Sequence, residues 1–143
     1  MLLCTSLTLL AACDPRPSES ARGEDEKPAE VERVEGSDVR RVVLSPRAAD
    51  RLGIKTEPVR EIPTPGGGSE RRAVPVAALV YDNSGDTLVY AVSRPLTYVR
   101  ERVGVARIDG DLAILETGPA PGTAVVTVGA AELLGSEYGV EGG

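Results

Sequence analysis

The sequence from Val74 to Gly129 is VPVAALVYDNSGDTLVYAVSRPLTYVRERVGVARIDGDLAILETGPAPGTAVVTVG, in which short apolar runs alternate with turn-forming residues. The runs are rich in Val, Ile, Leu, Tyr and Thr, and they cover Val76–Tyr81, Thr87–Val92, Tyr98–Ile108, Leu112–Thr117 and Ala124–Val128. Gly, Pro, Asn, Asp and Ser dominate the breaks between them. This spacing predicts antiparallel strands that follow one another as a meander in one small, mainly β domain.

The composition limits both the size of the core and the chemistry of the chain. A chain of 143 residues has room for one domain with appendages. Aromatic residues make up 3% of it, with no Phe or Trp, so Val, Leu, Ile and Ala must build the core. The absence of His excludes Ser-His-Asp triads and His-ligated zinc. We therefore expect a protein that is not an enzyme and that needs no cofactor or metal.

The segment before the meander predicts two further strands and one helix. Val39–Leu44 and Ile54–Ile62 have the composition of strands. Between them, Ser45 is a favourable N-cap, Pro46 suits the first helical position, and Gly53 is a helix stop signal. A short helix is therefore expected between the two strands.

The ends of the predicted domain are less regular. Pro63–Ser69 contains three consecutive glycines and predicts a flexible loop that joins two sheet segments. Ala130–Leu134 predicts one final helical turn, and residues 136–143 predict a frayed C-terminus. The folded domain is accordingly expected over residues 39–135, as a small antiparallel β-barrel with one short helix.

The N-terminus has the pattern of an exported protein. Residues 1–12 are apolar but too few to span a bilayer, which needs about 20 residues, so they fit the apolar part of a signal peptide. Leu10-Ala11-Ala12-Cys13 resembles the lipobox of bacterial lipoproteins, in which the cysteine is diacylated and becomes the new N-terminus. No Lys or Arg precedes the apolar run, which departs from that pattern, and an ordinary cleaved signal peptide is the alternative. The resemblance implies lipidation at Cys13 and a lipid anchor in the membrane.

Residues 13–38 predict a disordered tether that follows the lipidated cysteine. From Asp14 to Asp38 there are nine acidic and four basic residues, a net charge of −5. Apolar side chains are almost absent, so the segment cannot bury enough surface to fold alone. Because the whole chain has a net charge of −6, the segment Val39–Gly143 has a net charge of −1. This nearly neutral segment lacks the excess of positive charge with which proteins bind nucleic acids, so no nucleic-acid partner is expected.

Two segments of the chain resemble the membrane-proximal domain of periplasmic adaptor proteins, also called membrane fusion proteins, which serve efflux pumps. The first segment includes Val43-Leu44-Ser45-Pro46, Leu52-Gly53-Ile54-Lys55-Thr56 and Val59. The second includes Val74-Pro75, Ala78-Leu79-Val80, Val89-Tyr90-Ala91-Val92, Arg102-Val103-Gly104-Val105, Gly118, Gly122, Val125-Val126 and Gly129. In the family, a lipoyl-like domain, a helical hairpin and a second barrel lie between these segments, whereas this chain has only the loop around Gly66-Gly67-Gly68.

This resemblance implies a truncated adaptor at the periplasmic face of the cell membrane. Such a lipoprotein would act in transmembrane export by docking to an efflux transporter or an adaptor subunit. A free-standing ligand-binding lipoprotein is the alternative, and a pocket lined by Tyr81, Tyr90 or Tyr98 would favour it. A remnant of an adaptor gene without a present role is a third possibility.

The residues expected to contact a partner lie on the third apolar run. Arg100 and Arg102 share the parity opposite to that of the apolar Val99, Val103 and Val105, although Glu101 and Arg107 break the alternation. The row Arg100, Arg102 and Arg107 predicts a basic outer strand face. The segment Asp82–Asp86 superficially resembles a calcium loop but lacks its distal glutamate, and it is better explained as a hairpin turn. The site residues expected from the sequence are therefore Cys13 for lipidation and the three arginines for partner contact.

Overall fold

A computed structural model describes residues 27–37 and 39–139 of the chain. The helices of this part are α1 (Pro46–Leu52), α2 (Ala130–Gly139) and a 3-10 helix (Val76–Ala78). The strands are β1 (Ala29–Arg33), β2 (Arg40–Leu44), β3 (Lys55–Pro58), β4 (Arg60–Thr64), β5 (Gly68–Pro75), β6 (Val80–Tyr81), β7 (Thr87–Arg94), β8 (Thr97–Arg102), β9 (Gly104–Asp109), β10 (Leu112–Thr117) and β11 (Ala124–Val128).

The described strands form two antiparallel sheets, which confirms the predicted mainly β class. The larger sheet has the order β1-β2-β8-β7-β11-β3, with β6 also paired to β7. The smaller sheet has the order β4-β5-β10-β9. Within the described residues the two sheets do not join into one closed barrel. The predicted run Tyr98–Ile108 is broken at Val103, where the chain leaves the larger sheet and enters the smaller one.

The fold has three layers, which are the helices α1 and α2, the larger sheet and the smaller sheet. Two apolar clusters lie between the layers, and β7 of the larger sheet contacts both clusters. Leu88 and Tyr90 face a cluster that also includes residues of α1 and α2, such as Ala48 and Leu133. Val89, on the other face of the strand, packs in a second cluster with residues of the smaller sheet. Because both faces of β7 are covered, its apolar residues run without interruption, as is typical of a central strand.

The predicted short helix is confirmed as α1. The Ser45 side chain accepts a hydrogen bond from the Ala48 amide at 3.2 Å, and Pro46 occupies the first helical position. Gly53 ends the helix with φ at +60°, a left-handed conformation that glycine adopts without strain. Local residue preferences alone account for this element.

The C-terminal helix is longer than the predicted final turn. It extends to Gly139, and Glu137 is completely buried within the segment expected to fray. Leu133 and Glu137 are four residues apart and therefore lie on the same helical face, which is turned toward the core. Tertiary contacts, rather than helix propensity, explain why these last residues are helical.

The tether prediction differs from the structure at its C-terminal end. Ala29–Arg33 forms strand β1, which pairs with β2 in the register Ala29↔Leu44. Ala29 and Val31 pack against the first apolar cluster, whereas Glu30 lies between them on the other face. This alternation stabilises an edge strand inside a segment whose overall composition is that of disorder. The predicted signal peptide, Cys13 and residues 14–26 lie outside the described residues.

The loop prediction for Pro63–Ser69 is also incorrect, because this stretch is the end of a β-hairpin. Strands β4 and β5 pair up to the register Thr64↔Gly68. Gly66 and Gly67 have φ values of +93° and +79°, and they form the turn together with Pro65. The glycine-rich composition therefore indicates a tight turn rather than an irregular segment.

The first predicted run, Val76–Tyr81, also differs from the structure. It begins as a 3-10 helix and contains only the two-residue strand β6.

Candidate functional site

The structure does not bring the three predicted contact arginines together. Arg100 and Arg102 are two residues apart on β8, so they point to the same face of the larger sheet. Arg107 lies on β9 in the smaller sheet and forms an ion pair with Asp109 at 3.4 Å. Arg102 forms an ion pair with Asp86 at 2.5 Å, and its side chain is 75% exposed. A single basic strand face is therefore not formed, although two of its members remain neighbours.

Arg100 takes part in a buried polar cluster instead of facing a solvated surface. Its Nη1 atom lies 3.2 Å from Oε1 of Glu137, a residue with no solvent exposure. The Tyr90 hydroxyl donates a hydrogen bond of 2.7 Å to the other oxygen, Oε2. The Arg100 contact is close in distance but lacks hydrogen-bond geometry, so Oε1 accepts no hydrogen bond among the described residues. The negative charge of Glu137 is therefore compensated mainly by the nearby guanidinium of Arg100, and Tyr90 donates a hydrogen bond to its carboxylate.

Burial raises the pKa of Tyr90 above the ordinary range, and the hydrogen bond to Glu137 acts in the same direction. The phenol is therefore a hydrogen-bond donor at all physiological pH values.

The sequence did not identify Glu137 because it lies in the segment predicted to fray. The available signal was its position four residues after Leu133, on the apolar face of a possible helix.

A cleft of about 440 Å³ lies beside this cluster. It is lined by Val39, Asp82, Leu88 and the three consecutive residues of β8 from Arg100 to Arg102. The cleft thus contains two arginines and two acidic residues. The arginines are already paired with Glu137 and Asp86, so the cleft has no strong excess of either charge.

None of the three tyrosines considered for a ligand pocket lines this cleft. Tyr90 and Tyr98 are buried in the first apolar cluster, and Tyr81 is 65% exposed. Burial also raises the pKa of Tyr98. The tyrosines therefore serve the core or lie on the surface.

A second, more open cleft of about 400 Å³ lies on the smaller sheet and includes Arg71, Arg72 and Glu116. Arg72 Nη1 donates a hydrogen bond of 2.6 Å to the Gly118 carbonyl, so this guanidinium is used in positioning the loop after β10. Desolvation raises the pKa of Glu101, and the charge of Arg72 partly opposes this shift.

The segment Asp82–Asp86 is a hairpin turn, as predicted. The Asp82 side chain accepts hydrogen bonds from the amides of Ser84 and Asp86, both at 2.9 Å. Such local bonds are the usual function of an aspartate in a turn. In the part of the chain that the structure describes, no group of three or more His, Cys, Asp or Glu residues could hold a metal ion.

The edges of the two sheets differ in how well they are protected. Three edge strands, β1, β3 and β4, contain a proline or at least three charged residues. Strand β9 begins with the uncharged Gly104-Val105-Ala106, contains no proline, and exposes 52% of Ile108. Val76, which is 38% exposed, donates its amide hydrogen to the Asp111 carbonyl next to the β9–β10 turn. Ile108 is therefore an exposed apolar side chain on the edge strand β9.

No protein-family model, curated protein sequence or solved structure matches this chain. Over residues 27–37 and 39–139, no helix has the length and apolar character needed to cross a membrane. The lipidation site predicted at Cys13 lies outside these ranges.

Proposed function

We propose that this protein is a membrane-anchored lipoprotein at the extracytoplasmic, periplasmic face of the cell membrane, and that its β body docks to an efflux transporter or an adaptor subunit. The role is not catalytic, and it needs no cofactor. Cys13 holds the lipid, and the body is attached through the residues that precede β1. The proposal rests on the lipobox-like sequence, on the resemblance to adaptors, and on one structural observation.

That observation is the open edge of β9. An unpaired strand edge offers backbone N–H and C=O groups to the strand of another protein, and most proteins protect such edges with charges, prolines or bulges. The first half of β9 has no charges or prolines, although its pairing with β10 is interrupted by a bulge at Ala106, and Ile108, in the regularly paired second half, is half exposed. Addition of a partner strand would satisfy the backbone groups, and Ile108 would supply apolar contact. Arg107 lies beside it, as one of the three arginines expected to contact a partner.

The test is site-specific photocrosslinking of the full chain in membranes of the source organism. A photoreactive residue replaces Ile108, and in a matched control it replaces Glu61 on the charged edge strand β4. We expect Ile108 to form adducts with an export permease or an adaptor subunit, and Glu61 to form none. Equal adducts from both positions, or adducts with lipid alone, would contradict the docking role.

Lipidation is tested separately by feeding cells labelled palmitate. Label should be incorporated into the wild-type chain and should be lost in Cys13→Ser, which also should release the protein from the membrane fraction. Incorporation that does not depend on Cys13 would contradict the anchor.

Ligand binding is a second candidate, which is favoured by one observation. The cleft of about 440 Å³ beside Arg100 falls within the size range of small-molecule sites. Its arginines are already paired, however, and no tyrosine lines it. Native mass spectrometry of protein purified from its own membranes should detect a bound small molecule, lost in Arg102→Gln, if this candidate is correct.

A further inference from the structure

The chain enters the folded body at one defined end of the larger sheet. The Ser45 amide donates a hydrogen bond of 3.1 Å to the Pro28 carbonyl, and the Leu44 amide donates one of 2.9 Å to the Leu96 carbonyl. These two bonds hold together the start of β1, the start of α1 and the β7–β8 turn. We call this junction the anchor end, because residues 14–28 connect it to Cys13.

Four basic residues lie close in the chain to the anchor end. Lys27, Arg47 and Arg94 each lie within two residues of a group in the two junction hydrogen bonds. Arg51 lies one helical turn after Arg47, on the same exposed face of α1. Asp50 is the only acidic residue of that helix. These four cations, which we call the basic patch, carry a local positive charge on a body whose charge is close to neutral.

The side chains of the basic patch are free to meet a ligand. All four residues are exposed. None of them forms an ion pair with another residue in the described ranges, whereas Arg41, Arg60, Arg100, Arg102 and Arg107 are each paired with a carboxylate. Cations without a partner keep their full charge available to an external anion.

The length of the connecting segment determines which end of the body is near the bilayer. Fifteen residues lie between Cys13 and Ala29. A chain of fifteen residues reaches about 50 Å at most, when it is fully extended. A body of this size has a radius of gyration of about 13 Å, and hence a diameter of roughly 30 to 35 Å. If Cys13 carries the lipid, turning the opposite end toward the membrane would stretch the connection over most of this length, which favours the anchor end at the bilayer.

We propose that the basic patch binds the anionic lipid headgroups of the membrane in which Cys13 is anchored, so that the anchor end lies on the bilayer surface. The inference rests on the proposed function, because the anchor is what brings this end to the membrane. Its basis is the coincidence of a free cationic cluster with the point where the connecting segment joins the body. An acidic protein surface is the competing ligand, and the experiment distinguishes it.

Vesicle binding of the Cys13→Ser variant without residues 1–12 tests the patch without either the lipid or the apolar signal segment. The probes are vesicles of phosphatidylcholine with phosphatidylglycerol, and vesicles of phosphatidylcholine alone. We expect binding only to the anionic vesicles, and we expect it to weaken in 0.5 M salt, at which charges separated by more than a few ångströms are screened. The double variant Arg47→Gln/Arg94→Gln should bind less well, by about fivefold for each cation and therefore about 25-fold in total.

The matched control is Arg33→Gln/Arg71→Gln, which removes the same charge from exposed positions away from the anchor end. It should change vesicle binding less than threefold. Circular dichroism of each variant establishes that it is folded. Equal losses in the two double variants, or no binding to anionic vesicles, would overturn the proposal.

Crosslinking from Arg47 in native membranes separates lipid from protein as the ligand. Adducts with lipid support the patch, and adducts with an acidic protein overturn it. The vesicle assay, in contrast, does not depend on the anchor. Failure of palmitate incorporation at Cys13 would overturn the proposed function, whereas vesicle binding that fails with normal incorporation would overturn only the role of the patch.

Discussion

The buried cluster of Tyr90, Arg100 and Glu137 leads to a prediction that separates a structural arginine from a contact arginine. In Arg100→Met the carboxylate of Glu137 would remain completely buried, with the Tyr90 hydroxyl as its hydrogen-bond donor. Removing one partner of a buried ion pair typically costs about 3 to 5 kcal/mol. The Arg100 side chain is 23% exposed, which screens the pair in part, so we expect a loss of about 3 kcal/mol in the free energy of unfolding.

The matched control is Arg102→Met, two residues further along the same strand. Arg102 is 75% exposed and its partner Asp86 is 37% exposed, so their ion pair is a surface one. Such pairs contribute about 0 to 1 kcal/mol. Urea unfolding of the full chain at pH 7, followed by far-ultraviolet circular dichroism, measures both variants. A loss for Arg100→Met no larger than that for Arg102→Met would refute the buried pair.

A triple variant tests whether the loss comes from the uncompensated charge. Tyr90→Phe/Arg100→Met/Glu137→Leu removes the charges together with the hydroxyl that would otherwise lack an acceptor. Apolar replacement of a whole buried ion pair is often neutral or stabilising. We expect the triple variant to unfold within about 1 kcal/mol of the wild type, which would show strong coupling among the three residues. If it is as unstable as Arg100→Met, lost packing of the arginine stem is the cause instead.

Three further predictions concern alkaline stability, backbone conformation and helix capping. Because the pKa of Tyr90 is raised in the folded state, the unfolded state loses its phenolic proton first, and stability should fall above about pH 10 by up to about 1.4 kcal/mol per pH unit. Urea midpoints between pH 8 and 11 measure this fall, which should be smaller in Tyr90→Phe. Gly129→Ala should destabilise by about 1 to 3 kcal/mol, since φ is +91° and the new Cβ would lie 2.3 Å from Ile54 Cδ1. Gly135→Ala, in an open position of α2, should instead stabilise by about 0.8 kcal/mol in the same urea assay, and the opposite order would contradict the assigned conformations. Ser45→Ala should cost about 1 kcal/mol in urea unfolding by removing the cap of α1, and an unchanged midpoint would show that the cap contributes nothing.

Elements that depend on local residue preferences could be predicted from the sequence. The helix between Ser45 and Gly53 needs only a cap, a proline at its first position and a glycine at its end. The turn at Asp82–Asp86 is likewise built from the side chain of Asp82 and neighbouring amides. In both cases the interactions lie within a few residues, so composition and spacing contain the necessary information.

Elements that depend on distant partners could not be predicted in this way. Strand β1 is ordered by pairing with β2, and its charged residues conceal the alternation of Ala29 and Val31. Glu137 contacts Tyr90, which is 47 residues away in the chain, so no local pattern identifies the pair. The division of Tyr98–Ile108 at Val103 depends on which sheet each half joins, and both halves have the composition of a strand.

The layer arrangement keeps the two proposed surfaces apart and makes them separately testable. Arg47 and Arg51 of the basic patch lie on helix α1, which packs on one face of the larger sheet, whereas β9 belongs to the smaller sheet on the other face. A membrane-bound patch therefore leaves the β9 edge open to a partner strand. It follows that Ile108→Asp should abolish partner crosslinking from Ala106 without changing vesicle binding, whereas Arg47→Gln/Arg94→Gln should weaken vesicle binding and leave that crosslink intact. Loss of both activities in either variant would mean that the two surfaces are not independent.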